Sequence, residues 1–266
     1  MKYLCIILFL CAQTLLLQGK THPTTLKAFI VCETHEPALR QCYQQDSIRM
    51  KKSLESIAAQ LKLALKIQTV RSACLSNEKL SSWLQKLSSK DVAVFYYAGK
   101  PYYQLQEQWP SLEFTRTLQM LSQDRLTNMI NAKKPHLGLV LFDCYSNILR
   151  SGWVPSMNDG LRKVISKSGM RRLFLRSSGI FAACSKHRDE IGYAFHQKGL
   201  RGGIFTFAMQ RFFHSCDSNS VWYDLGAATK PIALRMSDEK QSPLVYENVT
   251  NPPVHHDHIK SQPVKK

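Results

Sequence analysis

Asp91-Val92-Ala93-Val94-Phe95-Tyr96-Tyr97 and Leu137-Gly138-Leu139-Val140-Leu141-Phe142-Asp143 decide the fold of this chain. Each is a short, nearly unbroken apolar run, rich in β-branched and aromatic residues. A strand without polar alternation is one buried on both faces, which is the habit of parallel sheets. Working outward, Leu26 to Cys32 reads as another buried strand, ending at polar Glu33-Thr34-His35, and Gly179 to Cys184 as a fifth. Leu65 to Val70 alternates like a half-buried strand. Between the strands lie helical patterns. Asp46 reads as the cap of a helix whose Ile48, Leu54, Ile57, Ala58 and Leu61 share one face. Ser76 reads as the start of a second, with Leu80, Trp83, Leu84 and Leu87 on one stripe, and a third helical stretch covers Leu118 to Ile130.

Strands alternating with amphipathic helices imply crossover units, hence a mainly parallel sheet covered on both sides. In such sheets function gathers outside the carboxyl ends of the strands. Those ends carry Cys32 to His35, Ala98-Gly99-Lys100, Asp143-Cys144-Tyr145 and Cys184-Ser185. Neither GxGxxG nor GxxxxGK[ST] occurs, so nucleotide phosphate binding has no support and no cofactor is expected.

The 266 residues, 44% of them apolar, suffice for one large α/β domain or two small ones and exclude disorder as the main state. The charge is unusual: 36 Lys and Arg against 19 acids give +17, which favours anionic surfaces. Arg150 to Arg176 holds seven of the basic residues and one acid, Asp159, but has no interleaved aromatic platform, so nucleic acid is not expected as a partner. Met1-Lys2 followed by the apolar run Leu4 to Leu17 fits a secretory signal over residues 1–19, and an uncleaved membrane anchor is the alternative. The expectation is therefore an exported protein, periplasmic or extracellular. Beyond the leader stand Cys32, Cys42, Cys74, Cys144, Cys184 and Cys216, which read either as disulfides or as buried free thiols. No zinc spacing appears among them and no metal site is assigned. Residues 251–266, with His255, His256 and His258, read as a flexible tail.

Five short motifs, in order, resemble the caspase/metacaspase family of cysteine peptidases. Phe95-Tyr96-Tyr97-Ala98-Gly99 is similar to the family's third strand, and Leu139 to Asn147 to its fourth. Gly179 to Cys184 resembles the fifth. Gly202 to Ala208 is similar to the Gly-x-Phe-Thr start of the next helix, and Gln241-Ser242-Pro243 to the Gln-x-Pro before the last strand. The resemblance spans residues 26–250. It implies a caspase-like three-layer α/β/α sandwich on a mainly parallel six-stranded sheet, with the first and fourth strands flanking the third. Cys32 and Cys144 then end strands about 10 Å apart, too far for a disulfide.

The resemblance also implies a histidine–cysteine dyad, and here the chain departs from the family. Lys100 stands at the histidine position and Tyr145 at the cysteine position. A phenol is a poor substitute for a thiolate, and a charged ammonium accepts no proton. Pro101, where the family has glycine, also lacks a backbone N–H. The leading expectation is an inactive pseudopeptidase that binds a protein or peptide. One alternative is an active cysteine endopeptidase in which Cys144 is a displaced nucleophile and His35 its base. Alternation along a strand turns Cys144 away from the former site unless a bulge after Asp143 re-aims it. Another alternative is a basic surface protein held to anionic partners by charge. By position in the family, Asp46 and Asp143 are candidates to line a substrate pocket for a basic side chain; otherwise they are a helix cap and a strand-end acceptor.

Overall fold

The computed structural model describes residues 22–114, 117–149, 165–197, 200–237 and 241–251. The leader over residues 1–19, residues 150–164 of the basic linker and the histidine tail beyond Asn251 lie outside them. In chain order the elements are β1 (Thr25–Cys32), α1 (Arg40–Leu61), β2 (Ala64–Arg71), α2 (Asn77–Gln85), β3 (Asp91–Gly99), β4 (Ser111–Phe114), β5 (Gln119–Ser122), α3 (Gln123–Asn131), β6 (Leu137–Cys144) and β7 (Asn147–Leu149). There follow β8 (Ser178–Cys184), β9 (Tyr193–Gln197), β10 (Leu200–Gly203), α4 (Ile204–Ser215), α5 (Tyr223–Ser237) and β11 (Leu244–Thr250).

Six strands form the central sheet in the order β11-β8-β6-β3-β1-β2. All neighbours are parallel except β11, which runs antiparallel to β8. The two runs that decide the fold become β3 and β6, paired at the middle of the sheet and buried along their whole length. Their side chains divide between two cores. Ile30, Tyr96, Leu139 and Leu141 meet α1 and α4 through Leu54, Ile57, Phe205 and Met209. Phe29, Phe95, Val140 and Phe142 meet α2 and α3 through Leu80, Trp83, Leu126 and Ile130. On that second face Phe95 stacks on Phe29 at 5.7 Å and on Phe142 at 5.9 Å, knitting three adjacent strands. Each such ring contributes on the order of 2–3 kcal/mol by burial alone. The result is an α/β/α sandwich, as the alternation of elements requires.

Two expectations about helices are corrected. The first helix begins at Arg40, six residues before Asp46, so Asp46 lies inside it and caps nothing. Its buried stripe is Cys42, Tyr43, Asp46, Met50, Leu54, Ile57 and Leu61, and Ile48 faces outward at 45% exposure. A helix starting at Asp46 would hide the polar member of that stripe, and the packing partners of Asp46 are distant in sequence. The stretch Leu118 to Ile130 is not all helix. Gln119–Ser122 pairs with β4 as a hairpin, and the helix starts after Ser122, whose hydroxyl caps it by accepting from the Arg125 N–H at 3.3 Å. Ser76 does cap α2, accepting from Lys79 N–H at 3.4 Å. The sequence reading missed α5, which carries Pro231 in its interior, and the small β7/β9/β10 sheet beside the carboxyl end of β6. All six cysteines of the described residues are free, and all but Cys74 are buried.

Candidate functional site

The carboxyl ends of β3 and β6 bring positions 100 and 145 side by side. Gly99 pairs with Cys144, and Tyr145 N–H donates to the Gly99 carbonyl at 3.2 Å. Beyond that the two side chains part. Lys100 is exposed. Tyr145 is fully buried and turned into the α1/α4 layer. Lys100 and Tyr145 share no hydrogen bond; the Tyr145 phenol donates to Asp46 Oδ2 at 2.7 Å instead. Its ring lies against Tyr43, with centroids 4.6 Å apart, and the Tyr43 hydroxyl donates to the Tyr145 carbonyl at 2.7 Å.

Asp46 and Asp143 meet at the amino end of α4. Asp46 Oδ2 accepts from Gly203 N–H at 2.7 Å, and Asp143 Oδ2 from Thr206 N–H at 2.9 Å. These are the free N–H groups of a first helical turn, where negative charge is favoured. Arg49, one turn along α1, donates to Asp46 Oδ1 at 3.1 Å. The Thr206 hydroxyl in turn shares a hydrogen bond of 2.5 Å with the Tyr96 phenol. The approach requires Gly202 and Gly203. A Cβ on Gly203 would sit 2.1 Å from Asp143 Oδ2, and Gly202, at φ +144°, backs directly onto Asp46 and Arg49.

Both carboxyl groups are fully enclosed. Burial, and secondarily the charge of Asp143, pushes Asp46 well above the usual carboxylate range, against the pull of Arg49, Tyr145 and the Gly203 N–H. Burial likewise raises Asp143 to about 6. Asp143 Oδ1 has no hydrogen-bond partner among the described residues, which suits a protonated or proton-sharing acid in so dry a place. The position expected to receive a basic ligand side chain is thus filled from within: Arg49 supplies the cation and Tyr145 the donor.

Cys144 projects to the opposite face, among Phe142, Cys184 and the α2/α3 layer, with no exposed surface. No bulge re-aims it, because β6 keeps register with β3 through Gly99↔Cys144. Burial and the neighbouring Cys184 hold its thiol well above the ordinary range, so it is not a thiolate at neutral pH. His35 is exposed on the loop after β1, its backbone N–H donating to Glu33 Oε1 at 2.7 Å. No hydrogen bond joins His35 to Cys144 among the described residues. Cys32 lies in the other core from Cys144, and both are free.

The loop after β8 closes over the same strand end. Ser185 Oγ accepts from the Cys144 N–H at 2.9 Å and donates to the Cys144 carbonyl at 2.7 Å. Gly192 packs so close that a Cβ there would lie 2.2 Å from the Cys144 carbonyl. Lys186, 3% exposed, holds the loop by donating to the carbonyls of His187, Arg188 and Glu190 at 2.9, 3.1 and 2.6 Å, with its ammonium 4.7 Å above the Tyr103 ring. Tyr43, Arg49, Thr206 and Lys186 were not singled out in the sequence. The stripe Cys42, Tyr43, Asp46, Met50 carries the helical spacing that would have found the first; Arg49 stands one turn from Asp46 and Lys186 bonds carbonyls of its own loop, while Thr206 depends on Asp143 and Tyr96, 63 and 110 residues away.

No family model matches this chain, and no curated protein matches it. Similarity appears among solved structures. A structure of pro-sf-caspase-1 superposes with a TM-score of 0.52 at 13% identity, covering 86% of this chain and 93% of that one. Protein GSU0716 from Geobacter sulfurreducens gives 0.46 at 13% identity, covering 87% and 95%. At such identity the first likeness speaks to the fold and to nothing finer. Together with the strand order and the layers, it establishes that this chain has a caspase-like fold.

Proposed function

We propose that this protein is an exported caspase-like pseudopeptidase that acts by binding a protein or peptide. One observation carries the reading: Tyr145, at the family's nucleophile position, is fully buried with its phenol committed to Asp46. A nucleophile must reach a substrate carbonyl and be deprotonated when it does so. Tyr145 does neither, since burial and the adjacent Asp46 push its phenol well above the ordinary range. Lys100 is exposed but has no nucleophile to serve. The apolar leader supports export, and the retained scaffold supports a role in recognition.

The test incubates the purified protein with a pool of acidic, basic and neutral peptides and follows both cleavage and retention. The proposal expects intact peptides throughout, with a subset retained at physiological salt. Cleavage that disappears in Cys144→Ala would replace it with the displaced-nucleophile enzyme. Retention that vanishes between low and physiological salt would replace it with adhesion by charge alone.

A further inference from the structure

The parallel strands begin level with one another. Thr25 pairs with Ala64 and with Asp91, Val92 with Leu137, and Leu137 with Gly179. The loops that enter β2, β1, β3, β6 and β8 therefore emerge side by side at the amino end of the sheet, about 25 Å along β3 from Gly99. Backbone hydrogen bonds lace them together. Ala64 N–H donates to the Thr24 carbonyl, Thr24 to Lys90, His136 to Asp91 and Gly179 to His136, at 3.0, 2.9, 2.9 and 3.0 Å.

These loops carry Lys62, Lys86, Lys90, Lys133, Lys134 and Arg176, all exposed. Across five adjacent strands they make a row about 20 Å wide. None pairs with an acid among the described residues. Asp91, which stands among them, is buried and committed to Lys27 and Ser88. Asp217, which follows α4 at this end, already accepts from the N–H groups of Asn219 and Ser220. The carboxyl ends of α1, α2 and α3 gather here, and each favours a nearby cation. That does not call for Lys90, or for two lysines after α3.

A level row of cations fixed by the sheet suits a flat field of anions better than a single ligand. None of these loops holds Phe, Tyr or Trp, so nucleobases find no stacking platform. The described chain begins at His22, at this same end, five residues after the apolar run Leu4 to Leu17. Five residues reach at most about 18 Å. A bilayer that holds the run is therefore within reach of the row.

We propose that this end of the sheet rests on the anionic headgroups of a lipid bilayer, with the row of lysines and Arg176 against the phosphates. Lys100 and Tyr145, at the opposite end, then face away from the membrane. The inference rests on the leader being directed to a membrane and is independent of peptide binding.

The test floats the full-length protein with vesicles of phosphatidylcholine, alone or with about 30% phosphatidylglycerol, at about 0.15 M salt. The leader contributes equally to both, so the difference reports the charge. Binding to the anionic vesicles is expected to be at least about tenfold tighter. Lys86→Gln, Lys90→Gln, Lys133→Gln and Lys134→Gln together remove most of that difference, since one lysine near such a surface is worth about fivefold. Lys51→Gln, Lys52→Gln, Lys79→Gln and Lys230→Gln remove the same charge from exposed positions on α1, α2 and α5 and change binding less than about threefold. In the unmodified sequence, anionic vesicles suppress acetylation of Lys90 and Lys134, read by mass spectrometry, and leave Lys79 reactive. Equal binding to the two vesicles, equal losses in the two variants, or equal acetylation with and without vesicles would overturn the proposal. So would tighter binding of a heparin fragment or a DNA duplex through the same four lysines, which would assign the row to a polyanion other than lipid.

Discussion

Tyr145→Phe removes one oxygen atom from the middle of the molecule and leaves the ring in place. The phenol is one of three donors on Asp46, with the Gly203 N–H at 2.7 Å and Arg49 at 3.1 Å. The contact with Tyr43 at 4.6 Å survives the change, so no cavity forms. What is lost is a short hydrogen bond to a carboxyl group that water cannot reach. Such a loss costs about 1–3 kcal/mol, because a buried oxygen is left short of a donor that water cannot replace. For a domain of this size that is a fall in Tm of roughly 4–10 °C. Thermal unfolding followed by far-UV circular dichroism at pH 7.5 measures it directly. Asp46→Asn alone and combined with Tyr145→Phe closes a double-mutant cycle, in which the pair is expected to couple by about 1 kcal/mol or more. A Tm within about 1 °C of the parent for Tyr145→Phe, or no coupling to Asp46, would refute the view that this tyrosine serves as an internal ligand of the acid.

Three further outcomes follow from the same arrangement. The triple variant Lys100→His, Pro101→Gly, Tyr145→Cys restores the family's residues at the strand ends, yet peptide hydrolysis stays at background, because the thiol would point at Asp46 and be pushed up by the nearby carboxylates; measurable turnover would show that the side chain at 145 swings outward. Asp143 is raised to about 6 and Asp46 also upward, so the folded state keeps protons that the unfolded chain releases. The Asp143 contribution is complete below the ordinary aspartate pKa and is lost as pH rises through about 6, an effect of about 3 kcal/mol; urea midpoints should fall over that window in the parent and fall less steeply in Asp143→Asn. Maleimide labelling of the native protein should modify Cys74 ahead of Cys32, Cys42, Cys144, Cys184 and Cys216, which react on denaturation; early labelling of Cys144 would reopen its candidacy as a nucleophile.

The strands were legible because burial on both faces leaves no room for polar residues, and β3 and β6 have almost none. Their order was not legible from periodicity; it came with the resemblance, and the structure has the first and fourth of those strands flanking the third. The start of α1 was misread because Asp46 is the residue type that caps helices, while its burial depends on Tyr145 and Gly203, 99 and 157 residues away. Alternation told which face Tyr145 occupies relative to Cys144, but not what stands on that face. Arg49 and the amino end of α4 supply it, and neither announces itself locally. The β4–β5 hairpin was lost for the opposite reason: Leu118 to Ile130 keeps enough helical spacing to hide a four-residue strand.

Nitration of tyrosines by tetranitromethane, read by peptide mass spectrometry on the native protein, tests most directly whether the nucleophile position is sealed. Tyr223 and Tyr246, at 66% and 46% exposure, provide the internal standard against Tyr145, which has none. The account predicts that Tyr223 and Tyr246 are modified while Tyr145 remains untouched until the protein unfolds. Nitration of Tyr145 at a rate comparable to Tyr223 would place its phenol at the surface, as a functioning site would require, and would contradict the account.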